Sequence, residues 1–302
     1  MRVATLLPSA TEIVCALGLE DQLVGISHSC NYPESITGVP VLNSTHVPYD
    51  KDSVTIDEYV RDHLSSHAAL YDLDVDGLRN AAPDVIVSQA LCDVCAVSTG
   101  DVMDAINSLP SKPALVDLNP NTLDDVLDDI LRVGKQLRAS DAAAKLVADL
   151  RRRRDLIANR SASIPASELP RVAFLEWLFP PFNGGHWNPE LVQLAGGIDL
   201  LGAPGQASTT QSWETIVAAK PDVLFIACCG FRIDRALEDV TKMSASAEWR
   251  QLPAVKNGRV YVADGNAYFS CPGPRLIDGL EIMAHALHPN IHPPVHGLAQ
   301  LA

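Results

Sequence analysis

What this chain lacks narrows it first. No apolar run approaches the roughly 20 residues that a membrane-spanning helix needs. The amino-terminal stretch offers only Val3-Ala4-Thr5-Leu6-Leu7 before Pro8-Ser9, and Glu12 interrupts the next apolar run. An export signal needs a longer apolar core and a small-residue cleavage site, so the expected location is cytoplasmic. Positive charge is also scarce: 23 Lys and Arg against 37 Asp and Glu leave a formal net charge of −14. Nucleic-acid phosphates and anionic membrane surfaces repel such a chain, which excludes both as expected partners. Gly184-Gly185 and Gly196-Gly197 are too short to cradle a phosphate, and no nucleotide motif is present.

What is there reads as a soluble globular protein. The 302 residues are 47% hydrophobic and 20% charged, long enough for two domains, with 21 prolines and 18 glycines marking many sharp connections. One pattern occurs twice. Ala81-Ala82-Pro83-Asp84 introduces the apolar run Val85-Ile86-Val87-Ser88, which leads into Gln89-Ala90-Leu91-Cys92-Asp93-Val94-Cys95. Ala218-Ala219-Lys220-Pro221-Asp222 introduces Val223-Leu224-Phe225-Ile226, which leads into Ala227-Cys228-Cys229-Gly230-Phe231. Each reads as a helix end, a turn and a buried parallel strand.

Further strands are expected at residues 3–7, 23–27, 39–42, 114–118, 172–176 and 259–262. Helices are expected up to Leu17, through about 67, at 75–81, from about 100, at 122–137, from an Asn188 cap, from a Ser212 cap, at 232–244 and at 274–287. Alternation of this kind is the signature of parallel α/β sheets. Residues 139–162 contain neither glycine nor proline and read as one long helix, with the four arginines 151–154 on a solvated face. The expected organisation is two Rossmann-like α/β lobes, 1–138 and 163–289, joined by the helix 139–162. A loosely ordered tail is expected at 290–302; its histidines with His285 offer metal ligands, but at irregular spacing, and a metal site there is the lesser reading. In open α/β sheets ligands sit beyond the carboxyl ends of the strands, so a ligand cleft between the lobes is expected.

The opening Thr5-Leu6-Leu7-Pro8-Ser9-Ala10-Thr11-Glu12, the Leu17-Gly18 helix end, the Pro83-Asp84 and Pro221-Asp222 strands and the long connecting helix resemble the helical-backbone (class III) periplasmic-binding-protein-like family. These are the binding components of importers for cobalamin, ferric siderophores and haem. The resemblance spans about residues 1–289 and is greatest to the cobalamin-binding branch. It extends to a cytoplasmic, cysteine-containing form through His28-Ser29-Cys30, Leu91 to Cys95, Glu176-Trp177, Gly185-His186-Trp187, Cys229-Gly230-Phe231 and Phe269 to Arg275; Cys271 departs from that form.

Cys92 and Cys95 have the spacing that lets one loop offer two thiolates to a single metal, a spacing that also serves dithiol redox chemistry. With Cys30 and Cys229, each after a strand, they would complete a tetrahedral zinc site or hold an iron–sulfur cluster; packing cysteines are the alternative. Cys15, within an apolar helix, reads as a core residue. Glu176 and His28 are candidate proton-transfer groups, against the plainer reading of hydrogen-bonded structural residues.

The candidate ligand-binding set is Tyr32, Glu176, Trp177, His186, Trp187, Phe231, Tyr268 and Arg275. Its aromatic wall suits a large planar ligand such as a corrinoid, and Arg275 suits a carboxylate or phosphate. The principal reading is therefore a cytoplasmic cobalamin- or metal-chelate-binding-like protein with a cysteine-ligated centre. The alternatives are a metalloenzyme built on that centre and the substrate-binding component of a corrinoid or iron-chelate importer, for which a permease would be the partner.

Overall fold

The computed structural model describes residues 1–66, 69–89 and 97–301. They form two compact α/β units, Met1–Pro120 with Asp124–Ala148, and Asn121–Leu123 with Asp149–Ala302. Among the described residues no helix is long and apolar enough to cross a membrane.

The first unit runs β1 (Val3–Thr5), α1 (Pro8–Ala16), β2 (Leu23–Gly25), β3 (Asn43–Thr45), α2 (Ser53–Ser66), β4 (Tyr71–Leu73), α3 (Val75–Ala81), β5 (Val85–Gln89), α4 (Thr99–Ser108), β6 (Ala114–Leu118) and α5 (Leu123–Gln136). The helix α6 (Ser140–Ser161) has its first residues in this unit and its remainder in the second. The sheet order is β2-β1-β5-β6, all parallel, and β3 pairs with β4 separately in antiparallel fashion.

The second unit runs β7 (Arg171–Leu178), β8 (Pro181–Asn183), α7 (Asn188–Leu194), β9 (Ile198–Asp199), α8 (Trp213–Ala219), β10 (Val223–Ile226), α9 (Ile233–Ser244), α10 (Ala247–Gln251), α11 (Pro253–Lys256), β11 (Val260–Ala263), α12 (Gly265–Tyr268), α13 (Leu276–Leu287) and β12 (Leu298–Leu301). Its sheet order is β12-β11-β10-β7-β8, with β9 on β7; β10 is parallel to both neighbours. Phe174, Phe225 and Phe269 form its deepest cluster, with ring centroids 5.3–5.7 Å apart.

The duplicated sequence pattern has a duplicated structural cause. At the start of β1 the backbone N–H of Arg2 donates to Asp84 Oδ2 (2.8 Å), and the N–H of Asp84 returns to the carbonyl of Arg2 (2.8 Å). At the start of β7 the N–H of Arg171 donates to Asp222 Oδ2 (2.9 Å), and the N–H of Asp222 returns to the carbonyl of Arg171 (2.8 Å). The same two arginines then reach the last carbonyls of the preceding helices, Arg2 to Ala81 (2.7 Å) and Arg171 to Ala219 (2.8 Å). Both helices close on a left-handed residue, Ala82 at φ 40° and Lys220 at φ 50°. Each guanidinium thus satisfies carbonyls that the helix end leaves unpaired. Arginine, aspartate and a left-handed closing residue together fix one parallel register in each sheet, Val3 against Val85 and Val172 against Val223.

Four local expectations need correction. The strand expected at 39–42 is a single bridge, Ile26 to Val41, and regular pairing begins at Asn43. The sequence run is apolar, but its proline at 40 lacks the backbone donor that a continuous ladder requires. The carboxyl-terminal segment is not loose, because Leu298 to Leu301 form the antiparallel edge strand against β11. Cys15 is half-exposed rather than a core residue. Asn188 is not a cap: it is the first residue of α7, and its side chain is turned to Glu176.

Two effects on stability are expected. Replacing Asp222 by Ala leaves the Arg171 N–H without its carboxylate and lowers unfolding free energy by about 1 kcal/mol in a urea titration, with Asp84→Ala giving a similar loss. Asp129 on α5 is 4% exposed, and burial pushes its carboxyl up to about 6 despite the neighbouring Arg132 guanidinium. The folded state therefore holds this proton more tightly than the unfolded chain, and the contribution of Asp129 to stability declines as pH rises from about 4 through 6. Asp129→Asn should gain on the wild type, by on the order of 2 kcal/mol, when denaturation midpoints at pH 4 and pH 7.5 are compared.

Candidate functional site

In the second unit, three adjacent strands, β7, β10 and β11, present aromatic side chains at or just beyond their carboxyl ends. Trp177 belongs to β7, Phe231 follows β10, and Tyr268 ends the short helix after β11. Trp177 and Phe231 lie with ring centroids 4.8 Å apart, and the Arg235 guanidinium stands 4.4 Å from the centroid of the Phe231 ring. Arg235 is in turn 3.3 Å from the carboxylate of Asp239, which is 1% exposed. Arg275 stands 5.7 Å over the Tyr268 ring. Phe231 is buried, whereas Trp177, Tyr268 and Arg275 are half-exposed. Arginine over an aromatic face contributes about 0.5–2 kcal/mol and holds the ring rigidly in place.

Glu176 is the fastening point beneath this surface. Its Oε2 accepts from the N–H of Gly185 (3.1 Å), and its carboxylate is further bonded by the Ser208 and Asn188 side chains. Burial raises its pKa, and these three donors oppose the rise. Only glycine fits at 185, since a Cβ there would lie 2.3 Å from the backbone nitrogen of Ser208. This makes Glu176 an acceptor for three donors from two segments, 185–188 and the loop at Ser208, the plainer of the two readings its sequence position allows.

The next residue, His186, adopts φ 53°, and its Nδ1 lies 3.3 Å from Asn121 Oδ1 of the same unit. Burial lowers its pKa. Trp187 is 5% exposed and gives its indole N–H to the Phe269 carbonyl (2.9 Å), so it packs within the core below the aromatic surface.

Cys228 is fully buried, with burial the main cause that pushes its thiol up; Gly265 packs so closely over it that a Cβ would lie 2.1 Å from its carbonyl oxygen. Cys229 gives its N–H to the Glu176 carbonyl (2.9 Å) and is half-exposed. Cys271 is buried.

In the first unit, Cys30 lies beyond β2 with its Sγ 2.9 Å from Thr11 Oγ1, which is 2.7 Å from Thr5 Oγ1. Burial pushes its thiol up to about 11, so at neutral pH it is a protonated thiol. His28 gives its backbone N–H (2.8 Å) and its Nδ1–H (3.0 Å) to Asn43 Oδ1, which fixes the orientation of its ring. Tyr32 is exposed. Cys92 and Cys95 lie outside the described residues. Among the described residues no group of three or more His, Cys, Asp and Glu is placed to hold a metal ion, so the zinc or iron–sulfur centre expected from the cysteine spacing has no support.

Comparison with known proteins decides the family. Residues 3–267 match the family described as periplasmic binding protein. The chain belongs to that family. A vitamin B12-binding protein of Vibrio cholerae is 23% identical to this binding protein over 289 residues, covering 93% of this chain and 86% of that one. An uncharacterised ABC-transporter substrate-binding lipoprotein of Bacillus subtilis is 24% identical over 297 residues, covering 96% and 80%. Among solved structures, a periplasmic heme-binding protein from Pseudomonas aeruginosa superposes with TM-score 0.74 at 19% identity, covering 100% of this chain and 98% of that one. The periplasmic vitamin B12-binding protein of Vibrio cholerae gives TM-score 0.68 at 20% identity, covering 95% and 96%. At such identities the structures establish the two-lobed α/β fold.

These relatives overturn the expected cytoplasmic location, since they are a lipoprotein and periplasmic proteins. The expectation rested on the shortness of the apolar run at 3–7. That run is the buried strand β1 with the turn into α1, so its composition reports the sheet core and not the destination of the protein.

Several residues that hold candidate side chains in place within each unit were not singled out from the sequence: Asn43 in the first, and Asn121, Ser208, Arg235 and Asp239 in the second. They are isolated polar residues whose partners are distant in sequence, as with Asn43 and His28, 15 residues apart. Arg235 alone carried a local cue, four residues from Asp239 on one helix.

Replacing Glu176 by Ala leaves the Gly185 N–H without an acceptor and should cost about 1–3 kcal/mol in unfolding free energy. In the same protein, Cys228 should resist iodoacetamide at pH 8 until denaturant is added, which peptide mapping of the alkylated chain checks directly.

Proposed function

We propose that this binding protein captures a metal-chelating macrocycle, a corrinoid or a haem, outside the cytoplasm and delivers it to an ABC importer permease. The observation that carries this reading is the aromatic and cationic surface at the carboxyl ends of β7, β10 and β11. Trp177 and Tyr268 are half-exposed, and the Arg275 guanidinium stands over the Tyr268 ring. Flat rings match the extended face of a macrocycle, and a guanidinium matches the carboxylate or phosphate that such a ligand carries at its rim. The match to a vitamin B12-binding protein over most of both chains and the match to a transporter-associated lipoprotein support the same ligand class and the same side of the membrane.

Glu176 works in this reading as a structural acceptor that keeps the loop at 184–187 in place, and no chemical step on the ligand is required of it. The net charge of −14 makes the arginines near the site a local exception within an acidic protein, which favours recognition of a ligand's anionic groups there.

The test is a fluorescence titration, because Trp177 lies where a bound macrocycle quenches it. Cyanocobalamin or haemin should give saturable quenching with a dissociation constant of about 1 μM or tighter. Trp177→Ala should weaken binding about tenfold through loss of one aromatic contact. A protein whose fluorescence and melting temperature are indifferent to both ligands at high micromolar concentration does not carry this function.

A further inference from the structure

The carboxyl-terminal residues lie beyond the residues 3–267 that match the family, and they are held in an unusual way. Helix α13 carries His285 in its last turn and is capped by His288; His292 follows in the connection to the edge strand β12 on β11. His288 donates from Nε2 to the Gly196 carbonyl (2.9 Å), and His285 donates from Nδ1 to the His292 carbonyl (3.1 Å). Both bonds go to carbonyl oxygens, so protonation leaves them intact and strengthens them.

His292 is different. It is 1% exposed, with Nε2 3.1 Å from Ser161 Oγ at the end of α6 and Nδ1 buried without a hydrogen-bond partner. A neutral ring tolerates that arrangement, because Nδ1 can be the bare acceptor. A charged ring cannot, since it would bury an unpaired N–H and a positive charge. The titratable groups acting on it are Arg160 on α6 and His285 and His288 at the end of α13, and each disfavours a second positive charge. The Gly196 turn after α7 gives its carbonyl to His288.

We propose that residues 289–301 are an acid-released strap: protonation of His292 expels its ring from the pocket beside Ser161, detaches β12 and bares the outer edge of β11. Such a strap governs the exposed edge of the second sheet, and its Gly297 lies against the Tyr268 ring, where a Cβ would come within 2.9 Å of it. Burial holds His292 below the ordinary histidine value, so the detached strap binds this proton more tightly than the docked one. Docking therefore has its full stability above about pH 6.5 and loses it as pH falls below that value.

Hydrogen–deuterium exchange of the full chain tests this without any ligand. After correction for intrinsic rates, amides of β12 and of the outer face of β11 should keep their protection at pH 7.5 and lose about tenfold per pH unit once His292 is forced to charge. His292→Gln should remove the pH dependence, while His285→Gln and His288→Gln leave it in place. Equal protection at pH 7.5 and pH 5, or a pH dependence that survives His292→Gln, overturns the proposal. Should His292→Gln fail to fold, the C2–H resonance of His292 in the wild type decides instead. Titration below the ordinary histidine range, in step with strap exchange, supports the strap, and titration at or above that range overturns it.

Discussion

Parallel sheets have no hairpin to set their register, and here a reciprocal arginine–aspartate clip does it. Arg2 with Asp84 and Arg171 with Asp222 each close a pair of backbone-directed bonds across two strands that are 82 and 51 residues apart in the chain. The guanidinium of the same arginine also terminates the helix that leads into the second strand. One residue therefore fixes a strand, its neighbour and the intervening turn at once. Slippage by one residue would turn every buried side chain of β5 or β10 to the opposite face, and all of them are buried in the native register.

The opposite ends of the strands are organised by side chains instead of backbone reciprocity. Glu176 gathers Gly185, Asn188 and Ser208 around one carboxylate, and the cost of burying it is offset by those donors. Above it, Phe231 is fixed between Trp177 and Arg235, and Arg235 is anchored on the buried Asp239. Trp177, Phe231 and the Arg235 guanidinium are thereby held in set positions, and under the proposed function that fixed arrangement lowers the ordering cost of binding.

Local periodicity and turn chemistry carried most of the fold. The repeated Ala-Ala-X-Pro-Asp and Ala-Ala-Pro-Asp phrases, the glycine-free run at 139–162 and the Ser212 cap are all found as helix ends, as α6 and as a cap bonded to the Thr215 N–H. What was not legible depended on contacts distant in sequence. Leu298 to Leu301 carry no strong strand signal, and they are a strand because β11 offers them an edge. Asn188 has the composition of a cap, yet Glu176 draws its side chain into another role. The cysteines invited a metal-centred reading because spacing alone cannot report whether a thiol faces a metal, a threonine hydroxyl or the core. Of the four cysteines of the expected centre, Cys30 faces Thr11 and Cys229 is half-exposed, while Cys92 and Cys95 lie outside the described residues.

The position of the clip has an evolutionary consequence. It lies at the amino ends of the strands, away from the loops at the carboxyl ends. Mutations that reshape those loops leave the register of the sheet untouched, so ligand preference and architecture can diversify at different rates. Solved structures that share 19–20% identity with this chain yet superpose along nearly their whole length are compatible with such a division.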